Sequence, residues 1–118
     1  MIRQNEIVSG EIREFIMEGV CDLNEITKAI EKHYHGGLKG VLWNASDAQI
    51  SHFTASEMRT IAYVAKQHTS HRKTAYCSPN DSQFGILRMY EAYAEIGEVA
   101  PLMMVFRERD EAIEWLKE

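Results

Sequence analysis

Apolar runs alternate with amphipathic stretches along most of the chain, and this alternation predicts both strands and helices. Near the start, the apolar positions of Ile7–Val8 and Ile12–Ile16 flank Ser9–Gly10, a pair typical of tight turns. The pattern predicts two short strands joined as a hairpin.

A helix should follow, because Asp22 and Glu25 have the spacing of a capping box. Its apolar side chains recur on one helical face, and Gly36–Gly37 can adopt the backbone angles that end a helix. The helix is predicted to run to about His35.

The run Val41–Trp43 is apolar on both faces, which is typical of a central parallel strand, and it leads into the polar stretch Asn44–Gln49. Thr54 and Glu57 form a second capping box, which predicts a helix that closes near His68–His71.

Thr74–Cys77 is the next predicted strand, and it stops at Pro79, which cannot donate a hydrogen bond to a sheet. A third helix is predicted from Ser82 to Ile96, with Asp81 or Ser82 as its cap.

Leu102–Phe106 is apolar on both faces and forms the last predicted strand, after which Asp110 is predicted to cap a short helix. On the third helix, Met89, Tyr93 and Ile96 lie off the main apolar face and need either a core or a partner to cover them.

The predicted order ββαβαβαβα defines an α/β fold with a mainly parallel sheet of four to five strands, four helices and an antiparallel first strand. We expect residues 1–118 to form a single domain. Strand carboxyl ends and helix amino ends then share one edge, where ligands usually bind. Its predicted polar residues are Asp22, Asn44, Ser46, Asp47, Ser56, Ser78, Asn80, Ser82, Arg107 and Arg109.

The amino-acid composition limits the kinds of partner that the protein is expected to bind. The 13 basic and 18 acidic residues give a net charge of −5, which disfavours nucleic acid because phosphate contacts need clustered Lys and Arg. No apolar run reaches the length of a membrane span, and the amino-terminal sequence lacks a signal-peptide pattern, so we expect a cytoplasmic protein. Cys21 and Cys77 are not a CxxC pair and are predicted to be reduced core residues.

This layout resembles the STAS fold, which sulfate-transporter tails share with bacterial anti-sigma factor antagonists, and especially its SpoIIAA-like branch. Leu42–Ser46 and Phe53–Ser56 resemble the antagonist pattern of a strand, a loop and a serine-bearing helix start. The segments Ser78–Glu91 and Val105–Leu116 look like small uncharacterised bacterial proteins of that branch. The resemblance implies a regulatory role and covers almost the whole chain.

The resemblance also implies that Ser56 occupies the position of the family's phosphorylatable serine. The neighbouring residues depart from the family pattern, since Ala55 replaces an aspartate and Glu57 replaces a second serine. From the local chemistry we interpret Thr54 as the helix cap and Ser56 as an unmodified residue of the first turn.

No catalytic signature is present: the sequence has no GxSxG, P-loop, GxGxxG or HExxH motif. His52 with Ser56 or Ser78 has the residue types of a catalytic dyad, but serines at helix starts are ordinary caps. The remaining histidines, His33, His35, His68 and His71, fall near predicted helix ends, where the dipole favours them, so neither a metal nor a cofactor is predicted.

Two functions remain open. One is a non-catalytic regulatory or protein-interaction module of STAS type. The other is a carrier or sensor of a small apolar or anionic ligand, held between helices or at the strand carboxyl edge with Arg107 or Arg109 as counter-charge. The apolar Leu102–Phe106 strand and the surplus apolar surface of the third helix also predict a homodimer.

Overall fold

A computed structural model describes residues 1–118 and contains one five-stranded sheet with four helices. The strands are β1 (Ile2–Val8), β2 (Ile12–Val20), β3 (Gly40–Gln49), β4 (Lys73–Cys77) and β5 (Leu102–Phe106). The helices are α1 (Leu23–His33), α2 (Ala55–His68), α3 (Asp81–Ile96) and α4 (Arg109–Lys117). The strands lie in chain order across the sheet, with β1 antiparallel to β2 and all later neighbours parallel. The predicted ββαβαβαβα fold is confirmed.

The hairpin between β1 and β2 turns at Gly10, whose φ of 73° lies in the left-handed region that glycine occupies without strain. The two capping boxes also form as predicted. The Asp22 carboxylate accepts from the backbone N–H of Glu25 at 2.8 Å, and the Thr54 hydroxyl accepts from that of Glu57 at 3.1 Å. These caps determine where α1 and α2 begin.

Helix α1 ends at His33, two residues before the predicted end at His35. Tyr34 already has an extended backbone, although its N–H still bonds to the carbonyl of Ile30 at 3.1 Å. Its hydroxyl accepts from the indole N–H of Trp43 at 2.8 Å, so a contact with the sheet holds Tyr34 in place.

The structure corrects the prediction for β3. The strand was predicted from the apolar run Val41–Trp43, but it also includes the polar stretch Asn44–Gln49, which continues alongside β2. A β-bulge accounts for the difference, because Ile16 and Glu18 of β2 pair with Asn44 and Asp47 of β3, two steps on one strand against three on the other.

Two cap predictions were wrong. Helix α3 is capped by Asn80, whose side chain accepts from the N–H of Gln83 at 3.1 Å, so Asp81 and Ser82 are helical residues instead. Asp110 does not cap α4, which begins one residue earlier and has no side-chain cap bond at Glu108. A long-range ion pair, described below, holds the start of α4.

The two faces of the sheet are covered unequally. Helices α1, α2 and α3 lie over one face and enclose the larger core, which includes Phe15 and Trp43 stacked with ring centroids 4.5 Å apart. Helix α4 alone lies on the other face, where Ala112 and Leu116 pack against Leu42. One short helix leaves part of that face open.

The apolar surface predicted on β5 and α3 is partly exposed. Leu102 and Met104 of β5 are 40% and 44% exposed, and Met89 and Ile96 of α3 are 48% and 82% exposed. Tyr93 is half-buried and lies under the guanidinium of Arg59. The second face of α3 is therefore not core.

Candidate functional site

A buried carboxylate lies at the centre of the polar residues on the α4 face of the sheet. Glu14 of β2 is fully buried, and Arg109 at the start of α4 donates to both of its oxygens at 2.7 Å. Asn5 of β1 and Asn44 of β3 each donate a further hydrogen bond at 2.9 Å. Four hydrogen bonds from two neighbouring strands and a helix therefore satisfy one carboxylate.

Electrostatics keep this carboxylate charged. Burial by itself raises the pKa of Glu14, but the hydrogen bonds from Arg109, Asn5 and Asn44 outweigh it, and the pKa is lowered overall. The same contact raises the pKa of Arg109. The pair is a charged, bidentate ion pair, with Glu14 enclosed and the Arg109 side chain 41% exposed.

Asn44, a predicted edge residue, belongs to this network. Its side-chain carbonyl also accepts from the backbone N–H of Ser46 at 3.0 Å, which places the half-buried Ser46 beside the bulge. Cys77 lies at the end of the neighbouring strand, where burial raises the pKa of its thiol to about 12 and the nearby Glu14 carboxylate adds to the shift. A thiol with a raised pKa is a poor nucleophile.

A second group of predicted residues surrounds the start of α3. Arg107 pairs with the Asp81 carboxylate, and its guanidinium lies 4.2 Å from the ring centroid of Phe84. Ser82 is exposed in the first turn of α3, whereas Ser78 is fully buried and its hydroxyl accepts from the backbone N–H of Asn80 at 3.2 Å. Ser78 is therefore a structural residue of the β4–α3 turn.

Two predicted edge residues face solvent. Ser56 is exposed in the first turn of α2, and Asp47 is exposed near the end of β3. Asp47 lies opposite Glu18 of β2, which is held by Arg3 at 2.6 Å. The outer part of the edge is therefore polar and open, while its α4 side is internally paired.

A dyad of His52 with Ser56 or Ser78 does not form. His52 bonds through its Nε2 to the backbone carbonyl of Cys21 at 2.9 Å, and Ser78 is enclosed. His33 and His68 lie at helix ends, the positions predicted for these histidines, and each is the last residue of its helix. No group of three or more His, Cys, Asp or Glu side chains is placed to hold a metal ion. Both cysteines are buried with free thiols.

Sequence reasoning missed Glu14. The available signal was an acidic residue between Ile12 and Ile16, on the same face of the strand as both, because a carboxylate buried with apolar neighbours requires a positive partner. That partner, Arg109, lies 95 residues further along the chain, and nothing in the local pattern of either residue indicates the other.

Comparisons with known proteins agree with the architecture. The chain is similar to the structure described as the anti-sigma factor antagonist SpoIIAA in its unphosphorylated form, with 17% sequence identity and a TM-score of 0.53. The alignment covers 99% of this chain and 98% of that one. No protein-family model matches the chain. No curated protein matches it either.

The protein thus has the predicted STAS fold, and its similarity in fold to SpoIIAA extends across nearly the whole chain. None of its four helices is long and apolar enough to cross a bilayer.

Proposed function

We propose that this protein is a non-catalytic regulatory module that docks a protein partner at the open part of its carboxyl edge, the exposed polar surface around Asp47 and the first turn of α2. We also propose that the protein acts in the cytoplasm and that its partner is not a nucleic acid. The observation that supports it is a separation within the edge: the ion-paired residues are bound to one another, while Asp47 and Ser56 remain free to meet a partner.

The same separation weighs against the carrier of an anionic ligand. Arg107 and Arg109, the two expected counter-charges, are already paired with Asp81 and Glu14. An anion would have to displace one of these carboxylates. The ordinary chemistry of the site likewise favours binding over catalysis, because His52 bonds to a backbone carbonyl rather than to Ser56 or Ser78.

Partner docking can be tested in cells by placing a photo-crosslinking amino acid at Asp47 or at Ser56. Lys39 is the matched control, because it is also exposed but lies before β3, at the opposite edge of the sheet. We expect a discrete protein adduct from the first two positions and none from Lys39. Equal adducts from all three positions, or none from any, would contradict docking at this edge.

A second measurement separates the module from a carrier. Native mass spectrometry of protein purified from its own cells should show the bare polypeptide if docking to proteins is its main activity. A stoichiometric small anionic mass would instead favour the carrier, and its loss in Arg107→Ala or Arg109→Ala would assign the arginine that holds it.

We also propose that the protein associates with itself. β5 lies at the edge of the sheet with one unpaired side, and its five residues carry no charge. Natural sheets usually protect such edges with charge, proline or a covering element. We propose that a second copy of the chain covers β5.

A further inference from the structure

The larger core contains a cavity that the side chains do not fill. Its volume is about 60 Å³, and it lies between the sheet and helices α1, α2 and α3. From the strands it is lined by Met17, Trp43 and Tyr76. From helices α1, α2 and α3 it is lined by Ile30, Ile61 and Leu87, respectively. All thirteen lining residues are apolar or aromatic.

The cavity lies beneath the middle helix of the layer, since α2 packs on both α1 and α3. Met58 and Ile61 of α2 line it on that side. Native cores have few voids larger than a water molecule, because an unfilled void forfeits dispersion contacts along its wall.

The lining is suited to an apolar occupant. A buried water needs two to four polar partners, and an apolar cavity that lacks them stays dry. The indole N–H of Trp43 is not free to supply one, because it donates to the Tyr34 hydroxyl at 2.8 Å. Burial raises the pKa of Tyr34, Tyr76 and Tyr90, so the lining carries no charge at ordinary pH.

The size of the cavity limits the occupant. A cavity of about 150 Å³ takes benzene or xenon, and sites for drug-sized ligands are roughly 300–1,000 Å³. At about 60 Å³ this cavity holds a molecule of a few heavy atoms. Ile86 and Tyr90 of α3 are the half-buried members of the lining on that helix, which places a route to solvent along α3.

We propose that the cavity beneath α2 is a binding site for one small, uncharged, apolar molecule, such as an apolar gas or a short hydrocarbon. This site is separate from the docking edge, and it succeeds or fails independently of the proposed function.

Xenon is the direct probe. Methyl NMR spectra of the isotopically labelled protein are recorded with increasing xenon pressure. Methyl shifts of Ile30, Ile61 and Leu87 should change and saturate, while those of Ile113, which packs in the other core, should change only slightly and without saturation. Uniform, non-saturating shifts across both cores would overturn the proposal.

A pair of variants provides an independent readout. Ile61→Ala enlarges the cavity, whereas Ile113→Ala truncates the same side chain on the α4 face. Benzene should raise the midpoint of thermal unfolding of Ile61→Ala by several degrees and leave that of Ile113→Ala unchanged. An equal response from both would count against a specific site, and the xenon titration of the unmodified protein decides the matter if Ile61→Ala does not fold.

Discussion

At the scale of single residues, the Glu14–Arg109 ion pair links the start of α4 to the sheet. The two partners are not equivalent, because Glu14 is enclosed and Arg109 reaches solvent. Removing Glu14 lets the guanidinium hydrate, whereas removing Arg109 leaves a buried carboxylate with only the two asparagine donors. The arginine should therefore be the more costly residue to lose.

We predict that Arg109→Ala lowers the free energy of unfolding by roughly 2 to 4 kcal/mol, less than a fully enclosed pair would lose because the Arg109 side chain is partly exposed. Adding Glu14→Gln to Arg109→Ala should restore part of the loss, since the unpaired charge is then gone. Urea unfolding of the two single variants and the double variant at neutral pH measures this.

Arg107→Ala is the control for that experiment. It breaks an exposed ion pair with Asp81 and should cost less than about 1 kcal/mol. If Arg109→Ala costs no more than this control, or if Glu14→Gln worsens it, the carboxylate is not dependent on the arginine.

His71 gives a second prediction at this scale. It is 2% exposed, its Nε2 bonds to the Thr74 hydroxyl at 2.8 Å, and its Nδ1 has no partner. Burial lowers the pKa of His71 from 6.5 to about 4. Between these values the unfolded chain binds a proton that the native protein does not, so stability is complete above about pH 6.5 and falls as pH drops toward 4.

Relative to His71→Gln, which does not titrate, the wild type should lose about 2 kcal/mol of unfolding free energy between pH 7 and pH 5. Urea unfolding of both proteins at these two pH values tests it. The carboxylates and the other histidines are the same in both proteins, so their contribution cancels in the difference between the two unfolding free energies. A difference that stays constant with pH would show that His71 gains its proton freely in the native state.

At the scale of elements, the two helix starts that have a capping box were predicted correctly. The cap of α3 was misplaced by one or two residues among several capping residue types, and the start of α4 lacks a local cap altogether. Asp22 and Thr54 bond within three residues of themselves, so the sequence window contains the whole interaction. The start of α4 depends on Glu14 instead. The polar half of β3 was missed because a bulge breaks the two-residue period and Asn44 is satisfied by another strand.

The cap of α2 can be tested against its neighbour. Thr54→Ala removes the hydroxyl that accepts from Glu57 and should cost about 1 kcal/mol. Ser56→Ala changes an exposed first-turn residue and should stay within about 0.5 kcal/mol of the wild type. Thermal or urea unfolding gives both values, and an equal or larger effect of Ser56→Ala would disprove the assignment of Thr54 as the cap.

The phosphorylation question belongs to the same helix start. The positive end of the α2 dipole would accommodate a phosphate on Ser56. Phosphorylation at this residue is therefore compatible with a stable helix. The adjacent Glu57 carboxylate, held by the Thr54 N–H at 3.0 Å, already occupies part of that site. We predict that Ser56 is unmodified in protein from its own cells, and intact-mass and peptide spectra showing phosphate there would contradict this.

At the scale of the whole molecule, the mainly parallel sheet followed from the alternation of elements, but the distribution of helices over its two faces did not. Strands apolar on both sides indicate that both faces are covered, yet they do not say that three helices lie on one face and a single helix on the other. That imbalance determines what remains exposed. Helix α4 packs on β3, on β4 and on the Phe106 end of β5, and it leaves Leu102 and Met104 of β5 exposed.

Self-association through β5 is the final prediction, and the geometry of a two-fold axis makes it specific. Antiparallel pairing of two β5 strands about Met104 would place each Leu102 opposite the Phe106 of the second copy and join the two sheets. Met104→Lys should then convert a dimer into a monomer, because a charge at the axis meets its own copy. Val20→Lys is the matched control, since Val20 is 62% exposed on a different strand. Light scattering at tens of micromolar measures the mass of each protein. A monomeric wild type, or equal loss of the dimer in both variants, would rule out pairing at this edge.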